Sequence, residues 1–202
     1  MPKTLPEVFI IESLTFDDEK QDLFEGRILS DILRKNDKEP IYYYIRTQKE
    51  LVEVLKLFEE SRYRYLHISC HGGKTSMETT LDSIPFDELG DILRPHLKYK
   101  RLFLSACNMV NNTLARHIMQ GGKCHSIIGP FKPVYFNESA IFWASFYHLM
   151  FNENESSMRL KDLMGCIKKL NLLYNIPLNY YTISKQHKQG YSYRKVTARS
   201  RS

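Results

Sequence analysis

A chain of 202 residues, 43% hydrophobic and 26% charged, is long enough to bury one sizeable core without disulfide or metal staples. No apolar run approaches the ~20 residues of a membrane span, so no membrane-spanning helix is expected. The formal net charge of +6 is uneven, at −5 over residues 1–60, +4 over 61–150 and +7 over 151–202, so the basic surplus is largest at the C-terminal end, which suits an acidic partner or nucleic acid.

The predicted elements alternate. EVFIIESL (7–14) reads as a short strand. The helical stretch 17–36 follows, where Leu23, Ile28, Leu29, Ile32 and Leu33 recur at helical spacing. PIYYYIRT (40–47) is rich in β-formers and opens with Pro40. Residues 48–61 are amphipathic, with Leu51, Val54, Leu55 and Phe58 on one face. YRYLHISC (63–70) reads as the third strand, and a polar stretch (71–85) leads to a helix over 86–97. KRLFLSAC (100–107) reads as the fourth strand, and the helix over 111–122 stops at Gly121-Gly122. CHSIIGPF (124–131) is a fifth strand, followed by helices over 138–151 and 158–174 and a short strand at YYTIS (180–184).

Strands alternating with helices imply a mostly parallel sheet with helices on both faces, a three-layer α/β/α sandwich. The strands are continuous apolar runs, as burial on both faces requires. One domain over residues 1–182 is expected, followed by a flexible basic tail over 183–202. Lys185–Ser202 hold six basic residues and no acidic one. That tail is the one segment expected to touch nucleic acid, and no aromatic-basic recognition motif accompanies it. The opening Met1-Pro-Lys-Thr-Leu-Pro lacks the apolar core of a secretory signal, so a cytoplasmic location is expected. There the four scattered cysteines, Cys70, Cys107, Cys124 and Cys166, are reduced thiols.

Two of the apolar runs end on reactive residues, LHISCHGG on His71 and LFLSACNM on Cys107. In a parallel sheet, ligands and catalytic groups gather outside the carboxyl ends of the strands. If the two strands are parallel neighbours in register, both side chains emerge at one edge. An imidazole there can take the proton of a thiol that attacks a carbonyl, and return it to a leaving amine. The amides of Gly72 and Cys107 are candidate donors to the developing oxyanion. Ser105 and Ala106 are small and leave the nucleophile uncrowded.

Either residue alone is more often structural than catalytic. Zinc is a rival, because His67, Cys70, His71 and Cys107 are all potential ligands. Yet no Cys-x-x-Cys pair exists, and His67 and Cys70 point to opposite faces of a strand. No metal or cofactor is therefore expected. A second rival is a catalytically silent module that binds a partner protein.

HISCHGG followed by LFLSACN resembles the caspase-like cysteine peptidase fold, and specifically the CHAT family, with its strand ending in His-Gly and its later strand ending in Ser-Ala-Cys. GGKCHSIIGPF and ESAIFWASFYHLM resemble further segments of that family, so the likeness runs from about Glu7 to about Leu173. It implies that His71 is the general base and Cys107 the nucleophile, with His67 structural. It further implies a regulated endopeptidase acting on protein substrates, an effector in bacterial defence or cell death. The family's frequent repeats are absent, which points to sensing by a separate activating protein. Asn152-Glu153-Asn154 replaces the usual glycine after the Phe-Tyr helix.

Two finer expectations concern regulation and substrate. Low basal activity is expected, raised by a partner or by cutting within Lys74–Ser83 or Asn152–Ser157. The loop after the first strand carries Asp17 and Asp18 and no early basic residue, so these carboxylates are expected to select arginine or lysine before the scissile bond. The competing use of Thr15, Asp17 and Asp18 is to cap the following helix.

Overall fold

The computed structural model describes residues 4–197. β1 (Leu5–Glu12) buries its whole second half, and α1 (Phe16–Lys20) and α2 (Glu25–Lys35) follow it. β2 (Ile41–Tyr44), α3 (Gln48–Ser61) and β3 (Tyr63–Ser69) come next. The polar stretch after β3 is not open loop. It folds into β4 (His71–Gly72), β5 (Ser76–Glu78) and β6 (Ser83–Pro85), a small antiparallel sheet of its own. α4 (Phe86–Leu93) runs into a 3-10 turn at Arg94–Leu97, and then come β7 (Arg101–Ser105), α5 (Asn112–Met119) and β8 (Ser126–Pro130). The chain continues through α6 (Phe136–Glu153), α7 (Leu160–Tyr174), β9 (Leu178–Ile183) and β10 (Tyr191–Val196).

The main sheet has seven strands in the order β10-β9-β8-β7-β3-β1-β2. Its pairings are parallel from β2 through β8, while β9 and β10 run antiparallel. One face packs Phe9, Ile11, Leu66, Ile68, Leu102 and Leu104 against α3, α4 and α5. The other packs Val8, Ile10, Tyr65, Phe103 and Ile128 against α2, α6 and α7. Successive residues of β1, β3 and β7 thus alternate between two cores, which is why their sequences are apolar throughout. No helix among the described residues is long and apolar enough to cross a membrane.

β10 corrects the expected tail. Val196 pairs with Leu178 and Tyr191 with Ile183, so Tyr191–Val196, within the expected tail, is an edge strand. Tyr191 and Val196 are buried, while Tyr193, Arg194 and Lys195 face outward. Basic side chains suit an edge strand, because they discourage pairing with another chain. Residues 198–202 lie outside the described part.

Candidate active site

β3 and β7 are parallel neighbours, with His67 beside Phe103 and Ser69 beside Ser105. β1 continues the row, placing Glu12 beside Ser69. His71 and Cys107 each lie two residues past the Ser69–Ser105 pair, so both leave the sheet at the same edge and in the same phase. They line one cavity of about 90 Å³, together with Leu14, Glu25, Ser105 and Val134 among others.

The small sheet holds His71. Gly73 N–H donates to the Ser76 carbonyl at 3.0 Å, closing the β4–β5 hairpin. Antiparallel pairs alternate between bonded and non-bonded. Gly72, opposite Met77, is then a non-bonded position whose amide faces away from β5. A Cβ at Gly72 would lie 2.3 Å from Met109 Cγ and 3.3 Å from the Cys107 carbonyl oxygen, so only glycine lets the two loops meet this closely. Thr80 ties the sheet to the end of β1, donating from Oγ1 to the Leu14 carbonyl at 2.6 Å. Lys74–Ser83, expected as a site for activating cleavage, is therefore largely hydrogen-bonded structure. In the second such segment, the Asn154 side chain accepts from the Ser156 and Ser157 amides.

Cys107 sits on a turn in which Asn108 is left-handed (φ 60°). Asn111 caps α5, accepting from the Thr113 and Leu114 amides. Its Nδ2 reaches back to the Asn108 carbonyl and across to the Lys74 carbonyl at 2.9 Å, joining the cysteine and histidine loops. The thiol is half-buried and meets the backbone of Val134, whose amide donates to Sγ at 3.4 Å. Sγ also lies 3.6 Å from the Val134 carbonyl oxygen. The other three cysteines are buried. Burial pushes the Cys166 thiol up to about 11 and the Cys124 thiol to about 12, and raises Cys70 as well.

His71 is half-exposed, and its Nε2 lies 2.7 Å from Asp18 Oδ2. Asp18 also completes the capping box of α1 with Thr15. Burial works against the Asp18 charge, but hydrogen bonds from Thr15 and His71 prevail and hold its carboxyl below the ordinary value. Asp18 is thus committed to a helix cap and an imidazole, not free to meet a substrate cation. Asp17 lies exposed in the first turn of α1, and neither aspartate lines the cavity. This acidic loop caps α1 and adds the imidazole contact.

Beneath the edge runs a buried polar row. His67 is fully buried, with Nδ1 2.9 Å from the Tyr147 hydroxyl and Nε2 3.3 Å from Glu25 Oε1. Ser105 donates to Glu25 Oε2 at 2.9 Å and meets the Ser139 hydroxyl at 2.6 Å. His67 packs edge-on against Trp143 on the α6 side of the sheet. Glu25 was absent from the sequence-level candidates, yet it lines the cavity and is only 2% exposed. Its neighbour Gly26 presses on β1 and β2, where a Cβ would lie 2.9 Å from Tyr42 and 3.0 Å from Ile10. The cap residue of α2, Phe24, has no side-chain acceptor, and Glu12 supplies one from β1, taking the Gly26 amide at 2.8 Å. Burial raises the Glu12 carboxyl to about 7, although Gly26 and Tyr42 both donate to it.

No family model matches this sequence, and no curated protein matches it either. Solved structures do. A secreted C11 cysteine protease from Bacteroides thetaiotaomicron, crystallised with an irreversible peptide inhibitor, superposes with a TM-score of 0.58 at 9% identity. That match covers 88% of this chain and 66% of the protease. Caspase-1 from Spodoptera frugiperda gives a TM-score of 0.51 at 14% identity, covering 96% of this chain and 86% of the other. A Geobacter sulfurreducens protein solved by structural genomics also gives 0.51, at 8% identity and covering 96% and 94%. The chain has the caspase-like α/β fold.

Proposed function

We propose that the protein is a cysteine endopeptidase in which Cys107 is the nucleophile, His71 the general base and Asp18 the residue that positions the imidazole. One observation carries this reading: His71 and Cys107 each lie two residues past a paired row on adjacent parallel strands, and they share one cavity. With His71 Nε2–H donating to Asp18, Nδ1 is the ring nitrogen left to take the thiol proton. The Val134 amide donates to the sulfur and helps fix its position. The thiolate attacks the scissile carbonyl, and the oxyanion meets the amides of Gly72 and Cys107. The imidazolium then protonates the departing amine, leaving a thioester. Water, deprotonated by His71, hydrolyses that thioester and restores the thiol.

Two similarities support the reading beyond geometry: the caspase-like fold of the cysteine protease neighbours, and the CHAT-like pairing of His-Gly with Ser-Ala-Cys. Within that fold we assign the chain to the CHAT family, as a regulated effector in a bacterial defence or cell-death system, switched on by a partner protein. The deciding experiment is a fluorogenic peptide screen with wild type and Cys107→Ala side by side. Cleavage by wild type alone supports the assignment, and cleavage retained by folded Cys107→Ala would falsify it.

A further inference from the structure

Resting on the peptidase reading above, we propose that Glu25 selects the residue accepted before the scissile bond, and that this residue is arginine or lysine. The cavity opens at His71 and Cys107 and has apolar walls at Leu14, Val134 and Phe136. Glu25 is its most deeply placed ionisable lining group, 2% exposed, with the hydroxyls of Ser105 and Ser139 beside it. A lysine or arginine matches this arrangement along its length, with a methylene stem for the walls and a cationic head for the carboxylate.

The Glu25 carboxylate accepts two hydrogen bonds. With Tyr147 O–H donating to His67 Nδ1, His67 donates its Nε2–H to Glu25. Ser105 O–H supplies the second bond. Two of about four acceptor directions on the carboxylate remain open. Among the described residues, no lysine or arginine lines the cavity to fill them. A carboxylate kept from water without a cation is costly unless one arrives, and a substrate side chain is what enters here. An aspartate in the same place would meet a like charge, and an apolar side chain would leave the carboxylate dry and under-bonded. Asp17 and Asp18 are outside the cavity, so the basic preference expected of them falls to Glu25 instead.

The test uses peptidyl ketones that alkylate Cys107, made as a series with Arg, Lys, citrulline, Leu or Asp next to the ketone, with labelling rates read by intact-protein mass spectrometry. Citrulline matches arginine in shape but lacks its charge, so the Arg-to-citrulline ratio in the wild type reports the charge without any substitution. The expected ratio is roughly ten- to hundredfold, the worth of a desolvated charge-assisted hydrogen bond. Glu25→Gln, which keeps the size and one acceptor, should bring that ratio near one. If the variant does not fold, the wild-type ratio decides alone. Labelling of Cys107 that is as fast with citrulline, Leu or Asp overturns the role of Glu25 and leaves the peptidase intact. If no ketone reacts with Cys107 faster than a simple haloacetamide does, the peptidase reading itself fails, and this inference with it.

Discussion

One stretch of chain carries two histidines four residues apart, and they live in different chemistry. His67, within β3, is fully buried, bonded at both ring nitrogens and wedged against Trp143. His71, just past the end of the strand, is about half exposed and has a partner at Nε2 only, the carboxylate of Asp18. The first belongs to a buried polar row, and both of its own bonds are internal. The second keeps a nitrogen for something that arrives. A saturated buried group specifies and stiffens a core, whereas an unsaturated group at a strand end is available for catalysis.

The sharpest way to break this comparison is to delete each histidine. His71→Ala and Cys107→Ala should each lower kcat/KM by on the order of a thousandfold or more, with thermal unfolding close to that of wild type. The double variant should lose little further, because the two groups act as a unit. His67→Leu should do the opposite, leaving the Tyr147 hydroxyl unpaired and Glu25 with Ser105 alone, and costing about 2–4 kcal/mol in urea unfolding. An active, unstable His71→Ala beside a stable, inactive His67→Leu would reverse the roles.

The thiols offer a second contrast of the same kind. Cys124 and Cys166, whose thiols burial pushes to about 12 and about 11, and buried Cys70 should resist alkylation in the folded protein. Half-buried Cys107 should react on the order of a hundredfold faster at pH 8. Peptide mapping after brief labelling measures this, and equal labelling of all four would erase the distinction.

Much of the edge was legible in the sequence, for a physical reason. Strands buried on both faces are apolar throughout, so a histidine or cysteine just past such a run stands out and its position in the sheet follows. The buried row was not legible. Glu25 reads locally as an acid in the first turn of a helix, where acids are common. Its contact with Ser105 spans 80 residues and leaves no local pattern. The one available signal was Gly26 beside it, a glycine early in an otherwise good helix, which marks close packing. The small β4–β6 sheet escaped because its strands are two or three residues long and largely polar. β10 was hidden by its arginine and lysine, which suit an exposed edge as well as a solvated tail.

Glu12 sharpens the account of the buried side. Its carboxyl is raised from 4.5 to about 7, so folding favours the protonated form. The stability this contributes is fully present below pH 4.5 and is lost as pH rises through 7, a change of roughly 3 kcal/mol. Glu12→Gln retains an acceptor for the Gly26 amide and should flatten that loss, gaining on wild type at pH 8 relative to pH 4.5 in urea titrations. A wild-type slope left intact in the variant would show that another group titrates.

The smallest expected effect lies at Asp18, and it separates positioning from capping. Asp18 serves two partners at once, the α1 cap through Thr15 and the His71 ring through Oδ2. Thr15→Ala removes the first and leaves the second, at a cost of about 1 kcal/mol or less in stability and with little change in rate. Asp18→Asn weakens the cap similarly but replaces a charge beside the imidazole with a neutral amide. It should lower kcat/KM by roughly tenfold. A helix cap alone has no route to that loss of rate. If Thr15→Ala and Asp18→Asn give the same rates, Asp18 serves the helix alone, and His71 acts without a positioning carboxylate.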